Sequence, residues 1–116
     1  MLTLGMIWYI VYYNEKVKDW IDNMPIGMKA YYIKITERLS KVGSNLGLPF
    51  TRSMGDGLFE LRIKAKEGIC RIFFCNMSQK KQKNIVMLHG FIKKSQKTPK
   101  KEIKLARQRQ QAVRKL

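Results

Sequence analysis

The hydrophobic period of this chain switches partway along, and the switch restricts what it can fold into. From Val17 to Val42 the apolar residues step by three and four; from Leu58 they step by two. Helical spacing followed by strand spacing in one short chain excludes both an all-helical bundle and an all-β sandwich, and predicts an α+β domain. Val17, Trp20, Ile21 and Met24 give a short helix an apolar face, with Asn14 as its N-cap. Pro25 and Gly27 interrupt it. Met28, Tyr32, Ile35, Leu39 and Val42 then form the stripe of a longer helix that stops at Gly43. Together the two predict a helical hairpin.

Ahead of the hairpin, Met6 to Tyr13 is β-branched and aromatic and predicts a buried strand, with Met1 to Gly5 as a leader. At thirteen residues, and without a basic start or cleavage site, Met1 to Tyr13 is neither a membrane span nor a signal peptide. Gly43 to Gly57 holds four glycines and Pro49 and predicts a loop. Strands follow over Leu58 to Lys64, Ile69 to Asn76 and Asn84 to Ile92, the last apolar on both faces. Lys66-Glu67-Gly68 is a turn and Met77 to Lys83 a basic hairpin loop. Thr98 caps a final helix with Pro99 at its first position. That helix has a thin apolar stripe, Ile103, Ala106 and Val113, which predicts weak docking. The expectation is one domain over 1–116: a strand and helical hairpin packed on a twisted antiparallel sheet, then a basic C-terminal helix.

Charge narrows the function. The chain of 116 residues has a formal net charge of +16. Residues 1–61 carry seven bases and six acids, whereas 62–116 carry seventeen bases and two acids. An excess gathered in one half calls for a polyanionic partner. Two cysteines argue against a secreted disulfide scaffold, and the protein reads as cytoplasmic. Cys70 and Cys75 lie five apart on one strand, about 17 Å at about 3.3 Å per residue, on opposite faces. They cannot bridge within the strand and match no zinc spacing. No carboxylate cluster suits magnesium and no phosphate-binding glycine loop precedes a helix, so neither metal nor cofactor is expected.

The candidates for chemistry are Glu60 and Arg62 on one strand, Arg71 on its neighbour, and His89 and Lys93 at the end of the last strand. Antiparallel pairing brings them toward one face. Arginine and lysine suit the charge that builds on a phosphate during RNA cleavage by its own 2′-OH. Glu60 or His89 suits proton transfer. Each also has a plainer reading: an ion pair for Glu60 and Arg62, a core histidine for His89, a solvated basic loop for Lys93, Lys94 and Lys97. Lys100, Lys101, Lys104 and Arg107 on the last helix suit phosphate-backbone contact without catalysis.

Three segments resemble the phage-derived, HigB-like toxins of the RelE/ParE superfamily. Asp56-Gly57-Leu58-Phe59-Glu60-Leu61-Arg62 is similar to their Gly-Leu-(Trp/Phe)-Glu-Leu-Arg box, and Gly68-Ile69-Cys70-Arg71-Ile72-Phe73-Phe74 to their arginine-bearing strand. Leu88 to Pro99 resembles their Leu-His-(Gly/Ser)-Phe-x-Lys-Lys-Thr-x-Lys-Thr-Pro signature. The resemblance implies a RelE-like fold and the toxin of a type II toxin–antitoxin pair. It implies an endoribonuclease that cuts mRNA on the ribosome without metal, leaving a 2′,3′-cyclic phosphate, and a helix-turn-helix, HigA-like antitoxin as partner. Arg71 matches the family's phosphate-stabilising arginine, Arg62 and Glu60 the box, and His89, Lys93 and Lys94 the last-strand signature. Many superfamily members end the sheet with a catalytic tyrosine; Phe91 lies in that region here. A non-catalytic nucleic-acid-binding protein and a ParE-like gyrase inhibitor use the same fold or surface and stand as alternatives.

Overall fold

A computed structural model describes residues 7–116. The leader, residues 1–5, and Met6 of the expected first strand lie outside the described residues. The elements run β1 (Trp8–Tyr12), α1 (Glu15–Asp22), α2 (Ile26–Val42), a 3-10 turn (Gly43–Leu46), β2 (Thr51–Gly55), β3 (Leu58–Ala65), β4 (Gly68–Gln79), β5 (Gln82–Lys93) and α3 (Lys100–Arg114). The α+β class holds. The strands form one sheet in the order β1-β5-β4-β3-β2.

Three expectations are corrected. The sheet is mixed, not wholly antiparallel, because β1 pairs parallel with β5. The helical hairpin carries the chain from β1 to β2 at the opposite edge, and the chain returns through β3 and β4 to lay β5 parallel beside β1. The stretch 43–57 also contains an edge strand, β2, which pairs antiparallel with β3. Its Asp56-Gly57 turn, with φ of 56° and 80°, is a two-residue hairpin connection that demands left-handed residues. The β4–β5 hairpin is longer than the spacing implies. It closes through Lys80 and Lys81, also at positive φ, so the expected loop over 77–83 is mostly strand.

Sequence capping works where the side chain can reach. Asn14 Oδ1 accepts from the Val17 amide at 2.9 Å and starts α1. Pro25 precedes α2 and has no such side chain. Glu67, in the β3–β4 turn, accepts from the Gly27 amide at 2.8 Å instead. This places a carboxylate at the positive end of the helix and ties α2 to the sheet.

The sheet buries both faces. On one, Leu61, Ile63, Cys70, Ile72, Phe74, Ile85 and Met87 pack against Val17, Ile21, Met28, Ile35 and Leu39 of α1 and α2. On the other, Leu58, Phe73, Cys75, Val86, Leu88 and Phe91 lie beneath Ala106 and Val113 of α3. A bulge in the β4–β5 register between Phe73 and Phe74 lets both Val86 and Leu88, and then Phe91, serve this second core.

The final helix is held more firmly than its stripe implies. Arg107 donates to the carbonyls of Met54 and Gly55, each at 2.9 Å, and Gln110 to that of Asp56, also at 2.9 Å. Arg109 donates to the Leu88 carbonyl at 2.6 Å and lies 5.0 Å over the Tyr13 ring. Polar side chains thus fasten α3 at the β2–β3 turn and at β5, where too little apolar surface exists. No side-chain hydrogen bond caps its N-terminus; the helix follows Pro99 directly.

Candidate nucleic-acid interface

The face of the sheet that carries α3 also carries the charged side chains of β2, β3 and β4, and the strand registers decide which of them stand together. Arg52 pairs with Glu60 and Glu60 with Phe73, which pairs with His89. In the next row Arg62 pairs with Arg71, which pairs with Phe91. Two guanidiniums directly opposite one another repel. Glu60 supplies the compensation. Its Oε1 lies 3.0 Å from Arg62 Nη1, 3.6 Å from Arg71 Nε and 3.7 Å from Arg52 Nε.

Burial differs sharply within this cluster. The side chains of Glu60 and Arg71 are 1% and 7% exposed, while Arg62 is 30% exposed. Arg71 donates to the Cys70 carbonyl at 3.3 Å, but its Nε and Glu60 Oε2 are buried without a hydrogen-bond partner. Burial lowers the pKa of Arg71, with the charge of Arg62 adding to it against Glu60. The pKa of Lys93 is lowered by desolvation and then by Arg71, so its ammonium belongs to the same electrostatic group. Three guanidiniums share one carboxylate, and the group is short of negative charge.

Beside it opens a cavity of about 420 Å³ lined by Arg62, Lys64 and Arg71 from β3 and β4. Ile69 forms part of its floor. Tyr31 of α2 and Leu48 and Pro49 of the loop before β2 form the other wall. That loop is well fixed. The Arg62 amide donates to the Phe50 carbonyl at 2.8 Å, and the Arg38 guanidinium lies 4.8 Å over the Phe50 ring.

Of the residues singled out from the sequence, Glu60, Arg62 and Arg71 come together, with Lys93 coupled to them. His89 stands apart: its Nε2 lies 3.1 Å from Glu102 Oε1 of α3, and its ring stacks 6.3 Å from Phe91. Phe73 separates it from Glu60 in the register. Its side chain opens onto a different hollow, with Lys16, Trp20 and Arg109. Lys94, Lys97, Lys100, Lys101 and Lys104 are exposed. Arg107 is engaged with Met54 and Gly55 as above. Arg52, Lys64 and Tyr31 did not emerge from the sequence. Arg52 becomes visible only once β2 is recognised as a strand; the Asp56-Gly57 pair was the available signal.

Among the described residues no three His, Cys, Asp or Glu side chains are gathered to hold a metal ion. Burial pushes Cys70 up to about 12 and Cys75 up to about 11, which makes both thiols inert. No helix among the described residues is long and apolar enough to cross a membrane.

The fold and the cluster define an α+β protein with a mixed sheet on which Arg52 and Arg62, partly open to solvent, flank a buried Glu60–Arg71 pair. Residues 19–111 match the model of the phage-derived Gp49-like protein family, and the chain belongs to that family, which is of the RelE/HigB toxin type. No curated protein matches the chain.

Proposed function

We propose that this protein is the toxin of a toxin–antitoxin pair and cleaves mRNA on the ribosome, as a HigB-like endoribonuclease. The observation that carries the reading is the cluster of Arg52, Arg62 and Arg71 around the buried Glu60, beside a cavity lined by Arg62, Lys64 and Arg71, in a chain of this family. The scissile phosphate sits against Arg62 and Arg71. The 2′-oxygen of the preceding ribose attacks phosphorus and loses its proton. The P–O5′ bond breaks, and the 5′-oxygen takes up a proton as it leaves. A 2′,3′-cyclic phosphate and a 5′-hydroxyl result. The extra charge of the phosphorane grows beside the guanidiniums, which stabilise the transition state more than the ground state.

Glu60 has too little exposure to meet substrate and acts by holding the arginines in place. His89 is engaged with Glu102, and Phe73 separates it from Glu60. Lys93 stands on the same face one row beyond Phe91, the register partner of Arg71, and takes the proton-transfer role by that position. The exposed lysines of 94–104 contact the phosphate backbone of RNA. A HigA-like, helix-turn-helix antitoxin is the partner expected to neutralise this charge, and the compartment is the cytoplasm.

The experiment is a translation extract to which the full-length protein is added, with mRNA ends mapped and their chemistry determined. Cuts confined to translated message and ending in cyclic phosphate are the expected result. Intact mRNA with bound RNA indicates a non-catalytic binding protein. Intact mRNA with loss of gyrase supercoiling indicates a ParE-like inhibitor. Either result removes the nuclease reading.

A further inference from the structure

The cavity beside the arginines has two unlike walls, and the cations account for only one. Arg62, Lys64 and Arg71 suit a phosphate. Tyr31, Leu48 and Pro49 oppose them, and none of the three offers a charge. Leu48 is 68% exposed, although large apolar side chains without a core to join are normally left outside only singly. Here the exposed leucine stands with a proline and a half-buried tyrosine. The wall is also pre-formed. Phe50 and Thr51 amides donate to the Gly47 carbonyl at 3.1 and 3.0 Å, the Gly47 amide donates to Thr51 Oγ1 at 2.8 Å, and Arg38 covers Phe50. An apolar lining and a cationic lining that share one cavity of about 420 Å³ match a ligand with one flat apolar part and one anionic part.

We infer that Tyr31, Leu48 and Pro49 form a subsite for the nucleobase next to the phosphate held by Arg62 and Arg71. The base packs on the Tyr31 ring and against Leu48 and Pro49, while Lys64 meets the adjoining backbone. Stacking on an aromatic face tolerates any base, so this wall adds affinity and alignment more than sequence choice. The inference rests on the RNA-cleaving reading for its substrate class. It predicts a contact that the basic residues alone do not supply.

The test uses the full chain and a fluorescently labelled trinucleotide with every ribose 2′-O-methylated, which binds without being cut. A second probe lacks the central base. Anisotropy is read for the parent protein and for Tyr31→Ala, Tyr31→Phe and Leu48→Ser; the exposed position of Leu48 makes the last variant safe for folding. The inference expects Tyr31→Ala to weaken the intact probe roughly 5- to 100-fold, Leu48→Ser to weaken it several-fold, and Tyr31→Phe to bind like the parent. It expects the abasic probe to bind all four proteins alike. Unchanged affinity of Leu48→Ser and Tyr31→Ala for the intact probe overturns the subsite. So does an equal loss for both probes, which marks a disturbed fold. The extract assay runs in parallel on the parent protein. Base-dependent binding with uncut mRNA supports the subsite and removes only the nuclease reading; no trinucleotide binding by the parent overturns the subsite itself.

Discussion

Glu60 is the residue on which the cationic face depends. Three guanidiniums lie within 3.7 Å of one of its oxygens, and the buried one, Arg71, pairs with no other anion among the described residues. Removing one partner of a buried ion pair leaves an uncompensated charge. Glu60→Gln is therefore expected to lower stability by on the order of 3 kcal/mol, and added phosphate should restore part of the loss by taking the carboxylate's place. Denaturant melts with and without phosphate measure both effects. Lys93 behaves oppositely. Its folded pKa is depressed, so at neutral pH its charged form costs stability, and that cost fades as pH rises through the folded pKa toward the ordinary value of 10.5. Lys93→Gln should melt higher than the parent at pH 7, with the gap narrowing toward pH 10.5, while any cleavage activity falls. A lower melting temperature at pH 7 would show the lysine to be stabilising.

Among the elements, α1 and α3 are attached to the sheet by quite different means. Trp20 of α1 lies so close to Gly90 that a Cβ there would run into its ring. Gly90→Ala should force the indole away and cost about 1–3 kcal/mol, as overpacking does; a thermal melt tests it. At the end of α1, Lys18 and Lys29 hold Asp22 at 2.8 and 2.9 Å and lower its pKa to about 2. That contribution is complete above the ordinary value of 3.8 and is lost as pH falls to about 2. Asp22→Asn should therefore flatten the acid limb of the melting curve between pH 4 and 2 and leave a slightly lower plateau above it. The elements also show what the sequence can and cannot reveal. The helices, β3 and the core of β5 announce themselves because burial repeats along them. β2 does not, because Arg52, Ser53 and Gly55 are exposed and an edge strand has little to bury. The parallel placement of β1 is a matter of topology that no local pattern carries. Missing β2 concealed Arg52, and missing the loop's contact with α2 concealed Tyr31. By contrast Glu60, Arg62 and Arg71 were legible because period two puts them on one face of neighbouring strands. His89 shares that face but is claimed by Glu102, a contact between elements 13 residues apart.

At the scale of the whole molecule, the fold covers one face of its sheet with α1 and α2 and packs α3 on the other, where Arg52 and Arg62 stay partly exposed beside the buried Arg71. Most of the excess charge lies in the second half of the chain, yet part of it is structural: Arg107 and Arg109 are bonded to carbonyls and do not wait for RNA. Association with ribosomes should weaken steeply with salt. Replacing Lys100, Lys101 and Lys104 together should lower the slope of log affinity against log salt by roughly 2–3 while leaving the melting temperature unchanged. The central claim is that Arg71 steadies the phosphate as its bond breaks, and it is tested most directly by the single-turnover rate of mRNA cutting on ribosomes saturated with Arg71→Ala. The account predicts a fall of about a hundredfold or more with binding and folding retained; a rate equal to that of the parent protein contradicts it.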